Sequence, residues 1–230
     1  MSDAAEAEAG EDRRAAAWAD AAAAAAMLAL DPVGLGGARL RARPGPARER
    51  WLELFRAGLP VAAPFRRIPA HATEERLLGG LDLGATLSAG RPVARRGLLS
   101  EADGGAVALA AAARASASVA AHLGRALDAG EIAVERDGIA GRSPARIAVV
   151  ALDEGDGVEE AAPGALTERL AFDMALDGPR PGAEADPDLA RARGLLPEIE
   201  VDAEIMRALC AAAEKLGVES PRASIFALRA

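Results

Sequence analysis

The sequence predicts an α/β protein built on a mostly parallel sheet. Three observations predict it. Residues 36–55 read as a short alternating strand, a Pro/Gly turn and a helix opening on Trp51, Leu52, Leu54 and Phe55. Residues 106–111 and 145–152 are apolar on both faces, as central parallel strands are. Helical stretches alternate with the strand candidates along the chain, the pattern of βαβ units.

In order, residues 1–12 are low-complexity Ala/Glu and read as disordered. Residues 13–30 are strong helix formers, stopped by Asp31-Pro32 and the glycines Gly34, Gly36 and Gly37. The opening strand and its helix follow, the helix ending near Gly58-Leu59-Pro60. Residues 61–68 form a strand candidate carrying the pair Arg66-Arg67, and residues 74–83 a glycine-containing insertion leading to a short helix at 85–89. After the first buried strand comes a helix over 116–129, then a hairpin over 131–142 turning at Asp137-Gly138. The second buried strand leads through an acidic loop, 153–160, to a short helix and last strand within 166–176. The Pro/Gly/acid-rich stretch 178–187 marks a linker, assigned to 179–195 between a core of 13–178 and a partial helical lid of 196–230. In the lid, residues 201–217 are an amphipathic helix, and Ser220-Pro221 supplies an N-cap and N1 proline to another that the chain end cuts short.

Composition narrows the function. With no tyrosine and 3% aromatic residues there is no stacking surface for single-stranded nucleic acid, and a net charge of −8 disfavours nucleic acid or an anionic membrane. One cysteine, Cys210, excludes a disulfide framework and suits a reducing compartment. The acidic N-terminus has no basic n-region, and the apolar run at 21–30 is too short to span a bilayer. The expectation is a soluble cytoplasmic protein.

Strand, turn and helix at 36–55 is where a phosphate-binding P-loop occurs, with the pattern G-x-x-x-x-G-K-[ST]. Reading the octet as residues 42–49, Ala42 and Ala47 replace the two glycines, Arg48 the lysine and Glu49 the Ser/Thr. Gly45 is the one glycine left in the turn, and Pro44 and Pro46 each remove an N–H from the phosphate cradle. Glu49 has no hydroxyl for a phosphate-bound Mg²⁺, and its carboxylate repels phosphate.

Several runs carry a family resemblance. Ala72-Thr73-Glu74-Glu75-Arg76-Leu77-Leu78-Gly79-Gly80-Leu81-Asp82-Leu83 looks like the insertion of AAA+ ATPases of the magnesium chelatase family. Arg96-Gly97-Leu98-Leu99-Ser100-Glu101-Ala102-Asp103-Gly104-Gly105 resembles the segment before that family's Walker B strand. Glu135-Arg136-Asp137-Gly138, with Pro144-Ala145-Arg146, is similar to its hairpin before the sensor-1 strand. The resemblance runs from about residue 19 to the end of the chain and implies a three-layer P-loop NTPase/AAA+ core with an incomplete helical lid. In the family the Walker B strand ends in Asp-Glu, for Mg²⁺ and the attacking water. Here those positions are Ala110 and Ala111. Two broken nucleotide signatures together resemble the D-subunit branch of the family, the inactive companion of the ATP-hydrolysing I subunit. That branch also has an acidic Pro-rich linker and an integrin-like domain, which implies that this chain is a fragment or truncated form.

The resemblance also assigns single residues. Arg169 falls where the arginine finger sits, a fixed positive charge aimed at a neighbouring subunit's γ-phosphate; the plainer reading is a solvated helix arginine. Arg222 matches the sensor-2 arginine of the lid, against a structural or surface role. With Gly45, Arg48, Glu49, Ala110 and Ala111 it completes a degenerate nucleotide site. From the residues alone, Arg48 and Glu49 form a mutual ion pair. Arg39, Arg41 and Arg43 share one face of the opening strand, which faces solvent or a partner, or lies near an edge. His71 is a solvated loop histidine with no third ligand for zinc, Cys210 belongs to a core stripe, and the loop 153–160 is solvated. No metal site and no unaided hydrolase chemistry is expected.

The resemblance implies a non-hydrolysing platform that binds no cofactor tightly, with Mg-ATP held by the partner. It would stack on the hexameric I subunit and, with the H subunit, help drive Mg²⁺ insertion into protoporphyrin IX in (bacterio)chlorophyll synthesis. Two alternatives remain open: an active or nucleotide-sensing AAA+ ATPase, and a non-enzymatic scaffold of another complex.

Overall fold

The parallel sheet is assembled from strands far apart in sequence. The computed structural model describes residues 2–136, 138–155, 160–176 and 188–230. The chain opens with α1 (Ser2–Leu30) and α2 (Pro32–Leu35), then β1 (Gly37–Arg41), α3 (Pro46–Gly58) and β2 (Phe65–Ile68). A small excursion holds α4 (Glu74–Leu78), β3 (Gly79–Leu81), α5 (Leu83–Ala89) and β4 (Ala94–Arg96). There follow α6 (Leu98–Glu101), β5 (Gly105–Leu109), α7 (Ala117–Ala129), the hairpin β6 (Glu131–Arg136) and β7 (Ile139–Pro144), and β8 (Ile147–Asp153). Last come α8 (Gly164–Thr167), β9 (Phe172–Ala175), α9 (Leu189–Leu195), α10 (Ala203–Lys215) and α11 (Pro221–Arg229).

The main sheet has the order β2-β5-β8-β1-β9, all parallel, with Leu109 beside Ala151 and Arg41 beside Asp153. The two doubly apolar runs are its centre, β5 and β8, buried along their whole lengths. Period-two alternation splits β8 between two cores. Ala148, Val150 and Leu152 face the layer of α1 and α3, with Trp18, Leu28, Trp51 and Phe55. Ile147, Val149 and Ala151 face the layer of α7, with Val119 and Leu123. This is the three-layer α/β arrangement that the sequence predicts. Trp51 joins α3 to α1 by donating Nε1–H to the Ala21 carbonyl at 2.7 Å.

Some expectations are corrected. Residues 2–12 belong to α1 and not to a disordered tail, since Ala and Glu are strong helix formers that extend the turn already begun. The expected linker, 179–195, contains α9; its residues 179–187 lie outside the described residues. Arg193 holds α9 down by donating to the carbonyls of Ala29 (3.0 Å) and Gly58 (2.7 Å), a cation at the C-terminal ends of α1 and α3. Cys210 is exposed, because α10 packs on α11 and does not lay its apolar stripe on the core. Asp137 of the hairpin turn also lies outside the described residues.

Candidate functional site

A cleft lies at the carboxyl ends of β1, β8 and β9, where the chain's strand order turns back and open α/β sheets bind ligands. It encloses ≈ 460 Å³ between the β1–α3 turn (residues 41–48), the end of β8 (Asp153, Glu154, Gly155) and Ala175-Leu176. Residues 42–48 of the octet line this cleft, and Glu49 does not.

Its turn is not a phosphate nest. Gly45 has φ 172° and ψ 177°, an extended conformation open to any residue, and a Cβ there would meet only the Arg43 carbonyl at 3.9 Å. Pro46 starts α3 at N1 and the Glu49 N–H is spent on the Gly45 carbonyl at 3.1 Å. Arg48 is buried at 9% exposure, and Nη1 lies 2.5 Å from Oε1 of Glu154. Glu49 is a looser partner of Arg48 at 3.5 Å and also reaches Arg67 at 3.4 Å. The expected Arg48–Glu49 pair is thus secondary to the acid that follows β8. Glu154 was legible only as the residue after a buried strand.

Asp153 corrects the expectation of a solvated acidic loop. It ends β8, is 2% exposed, and accepts Nε–H of Arg39 at 2.9 Å and the N–H groups of Gly155 (3.1 Å) and Ala162 (3.0 Å). Residues 156–159 of that loop lie outside the described residues. Asp173 of β9 faces Arg39 at 3.4 Å and Arg41 at 3.2 Å. The charges on β1 are therefore answered by acids on both neighbouring strands, a third solution beside an open face or an edge position.

Ala110 and Ala111 follow β5 and do not line the cleft. Ala110 N–H bonds the Ile68 carbonyl at 2.8 Å, and Ala111 turns the chain with φ +47°, in the left-handed region. Two prolines in its turn and the pairing of Arg48 with Glu154 leave the cleft short of donors for the phosphates of Mg-nucleotide.

Arg169 and Arg222 lie away from this cleft. Arg169 follows α8 just before β9 begins, so it stands at the amino ends of the strands. It spans Gly124 of α7 and donates Nε–H (2.9 Å) and Nη2–H (2.7 Å) to Oδ2 of Asp128, and Nη1–H to the Ala165 carbonyl. Arg222, at the head of α11, donates to the other oxygen of Asp128 at 2.9 Å. These bonds, that of Arg169 first, hold the Asp128 carboxyl below the usual carboxylate range and raise Arg169 above the ordinary arginine value. The expectation that Arg222 joins the home nucleotide site is corrected: α11 docks by α2 and α8, at the other end of the sheet.

His71 is exposed, and His122 lies 3.6 Å from Glu74. Among the described residues no group of three His, Cys, Asp or Glu side chains could hold a metal ion, and no helix is long and apolar enough to cross a membrane.

No family model matches the chain. It is similar to the magnesium-chelatase 60 kDa subunit of Cereibacter sphaeroides, 40% identical over 219 residues, covering 93% of this chain and 36% of that protein. The 60 kDa subunit of Rhodobacter capsulatus is 34% identical over 211 residues, with 89% and 34% covered. The 67 kDa subunit of Chlorobaculum parvum is 30% identical over 227 residues, with 89% and 36% covered. The chain thus spans about a third of the length of these relatives. Among solved structures, a chain of the cryo-EM-based complex between subunits BchI and BchD of magnesium chelatase shares the fold. It matches with a TM-score of 0.52 and 21% identity, over 87% of this chain and 67% of that one.

Proposed function

The chain belongs to the magnesium-chelatase 60/67 kDa (D) subunit family, and from that we propose that it is a non-hydrolysing AAA+ platform. It assembles with the ATP-hydrolysing I subunit and, with the H subunit, serves ATP-dependent Mg²⁺ insertion into protoporphyrin IX. Mg-ATP belongs to the partner's site and the metal and porphyrin are the assembly's substrates.

The observation that carries this reading is the ion pair of Arg48. The cation at the position of the P-loop lysine already has an internal anion, Glu154, at 2.5 Å, in a turn that Pro44 and Pro46 leave short of N–H donors. Buried between two acids, Glu154 and Glu49, Arg48 has no net positive charge to offer a phosphate, so the fold is kept for its surfaces. Arg169 supports the same reading from the other end of the sheet. Its fixed positive charge stabilises the transferring phosphoryl group of a neighbour's nucleotide, where charge spreads over the equatorial oxygens.

Calorimetric titration tests it. Mg-ATP added to the chain is expected to give no binding heat, while the I subunit with Mg-ATP gives a saturable complex. Micromolar binding of Mg-ATP to the chain alone, abolished by Arg48→Ala, overturns the platform reading in favour of a nucleotide sensor. Failure to bind the I subunit overturns the partner.

A further inference from the structure

Asp128 sits in the last turn of α7, and each of its oxygens serves a different segment of the chain. Oδ2 takes two N–H groups of Arg169 and Oδ1 takes one of Arg222. The path of Arg169 to this acid is built into α7, one helical turn earlier. A Cβ at Gly124 would stand 3.3 Å from Nε and 3.4 Å from Cδ of Arg169, close enough to press the arginine aside by a few tenths of an ångström. The Ala165 carbonyl takes Nη1–H from the other side.

We propose that Asp128 is a positioning residue for Arg169, fixing the guanidinium in one orientation and tying that orientation to the docking of α11. The proposal rests on the reading of Arg169 as a finger for a partner's site. A guanidinium has five N–H groups; Arg169 spends one each from Nε, Nη1 and Nη2 and keeps two, both at its tip. Asp128 and Glu168 both act on Arg169 and balance its charge and that of Arg222, so what the cluster offers a phosphate is the two N–H groups left at the tip of Arg169, which a phosphate oxygen meets without displacing Asp128. The far end of α11 has its own anchor: Arg229, two turns beyond Arg222, pairs with Asp31 at 3.3 Å. That anchor separates holding the lid from aiming the finger.

The chain is mixed with the ATP-hydrolysing subunit and Mg-ATP, and the increment in hydrolysis that it causes is resolved into kcat and KM. Arg169→Ala is expected to abolish the increment. Asp128→Asn is expected to lower its kcat about tenfold with KM unchanged, because a misplaced charge is lost from the transition state and not from substrate binding. Asp128→Glu recovers most of the loss. Asp31→Asn, which releases Arg229 alone, leaves the increment within about twofold. Hydrogen exchange of the core strands reports that each variant is folded, and exchange of α11 reports its docking. If Arg169→Ala lowers the increment and Asp128→Asn does not, the positioning role is overturned and the finger stands. Equal losses in Asp128→Asn and Asp31→Asn reduce Asp128 to a lid tether and also overturn it. An increment that is absent, or that survives Arg169→Ala, overturns the finger reading and the proposal with it.

Discussion

Arg39 and Asp153 are joined across neighbouring strands by a 2.9 Å ion pair in which the Asp153 side chain is 1% exposed. A carboxylate so far from water depends on its partner, and the two backbone N–H groups that it also accepts carry no full charge. Removing one member of such a pair leaves an uncompensated buried charge. Arg39→Met is expected to lower the unfolding free energy by about 3 kcal/mol, read by urea denaturation. Arg41→Met, whose partner Asp173 is half exposed, is expected to cost under about 1 kcal/mol.

Removing the internal anion should reopen the cleft. In Glu154→Ala the buried guanidinium of Arg48 keeps, among the described residues, its 3.5 Å contact with Glu49. Titration with inorganic phosphate is expected to show binding of about millimolar strength in this variant and none in the parent chain. Adding Arg48→Ala in the same background should abolish it. Phosphate binding that survives the second change would place the anion elsewhere.

Ala111 holds the left-handed conformation at a cost that glycine escapes. Ala111→Gly gains that strain back and loses part of it to the freer unfolded chain, for a net gain of about 0.5–1 kcal/mol. Thermal unfolding should shift upward by about 2–3 °C. Ala111→Val, with a branched Cβ in the same conformation, should move the midpoint down.

Acid should act on two arginine clamps together. Asp103 is held below the usual carboxylate range chiefly by the side-chain bond from Arg146, as Asp128 is by Arg169. A carboxyl depressed in the folded state contributes stability above its unfolded value of about 3.9, and that contribution is lost as pH falls through the folded value. Stability from these clamps should be flat from pH 7 to about 5 and fall below about pH 4. In Asp103→Asn/Asp128→Asn the acid limb of a stability–pH profile should be shallower. An unchanged limb would mean that other carboxylates govern it.

The alternation of strands and helices was legible because β5 and β8 are apolar on both faces and Ser116 caps α7 where a helix was expected. The β3–β4 hairpin was not, since Gly79-Gly80-Leu81 has too few side chains for a strand pattern and its partner lies across α5. The short helix α9 was hidden for a related reason. What fastens Arg193 is a pair of carbonyls 135 and 164 residues upstream, and backbone carbonyls leave no mark in a sequence. The octet at 42–49 was readable as a broken P-loop, yet the acid that pairs with its arginine, Glu154, comes from the loop after β8, more than 100 residues away. Arg169 and Arg222 drew notice as separate arginines. Only the fold brings both to Asp128.

The anchoring of Arg193 also orders events in time. Its two acceptors stand side by side only once α1 and α3 have both formed and met, and the loop that closes is more than half the chain. An anchor that closes on surfaces the core has already built is expected to form after the folding barrier has been crossed. Substituting Arg193 should therefore leave the folding rate of the core almost untouched and speed its unfolding. In a living cell the core could then stand complete while its helical extension was still seeking its seat.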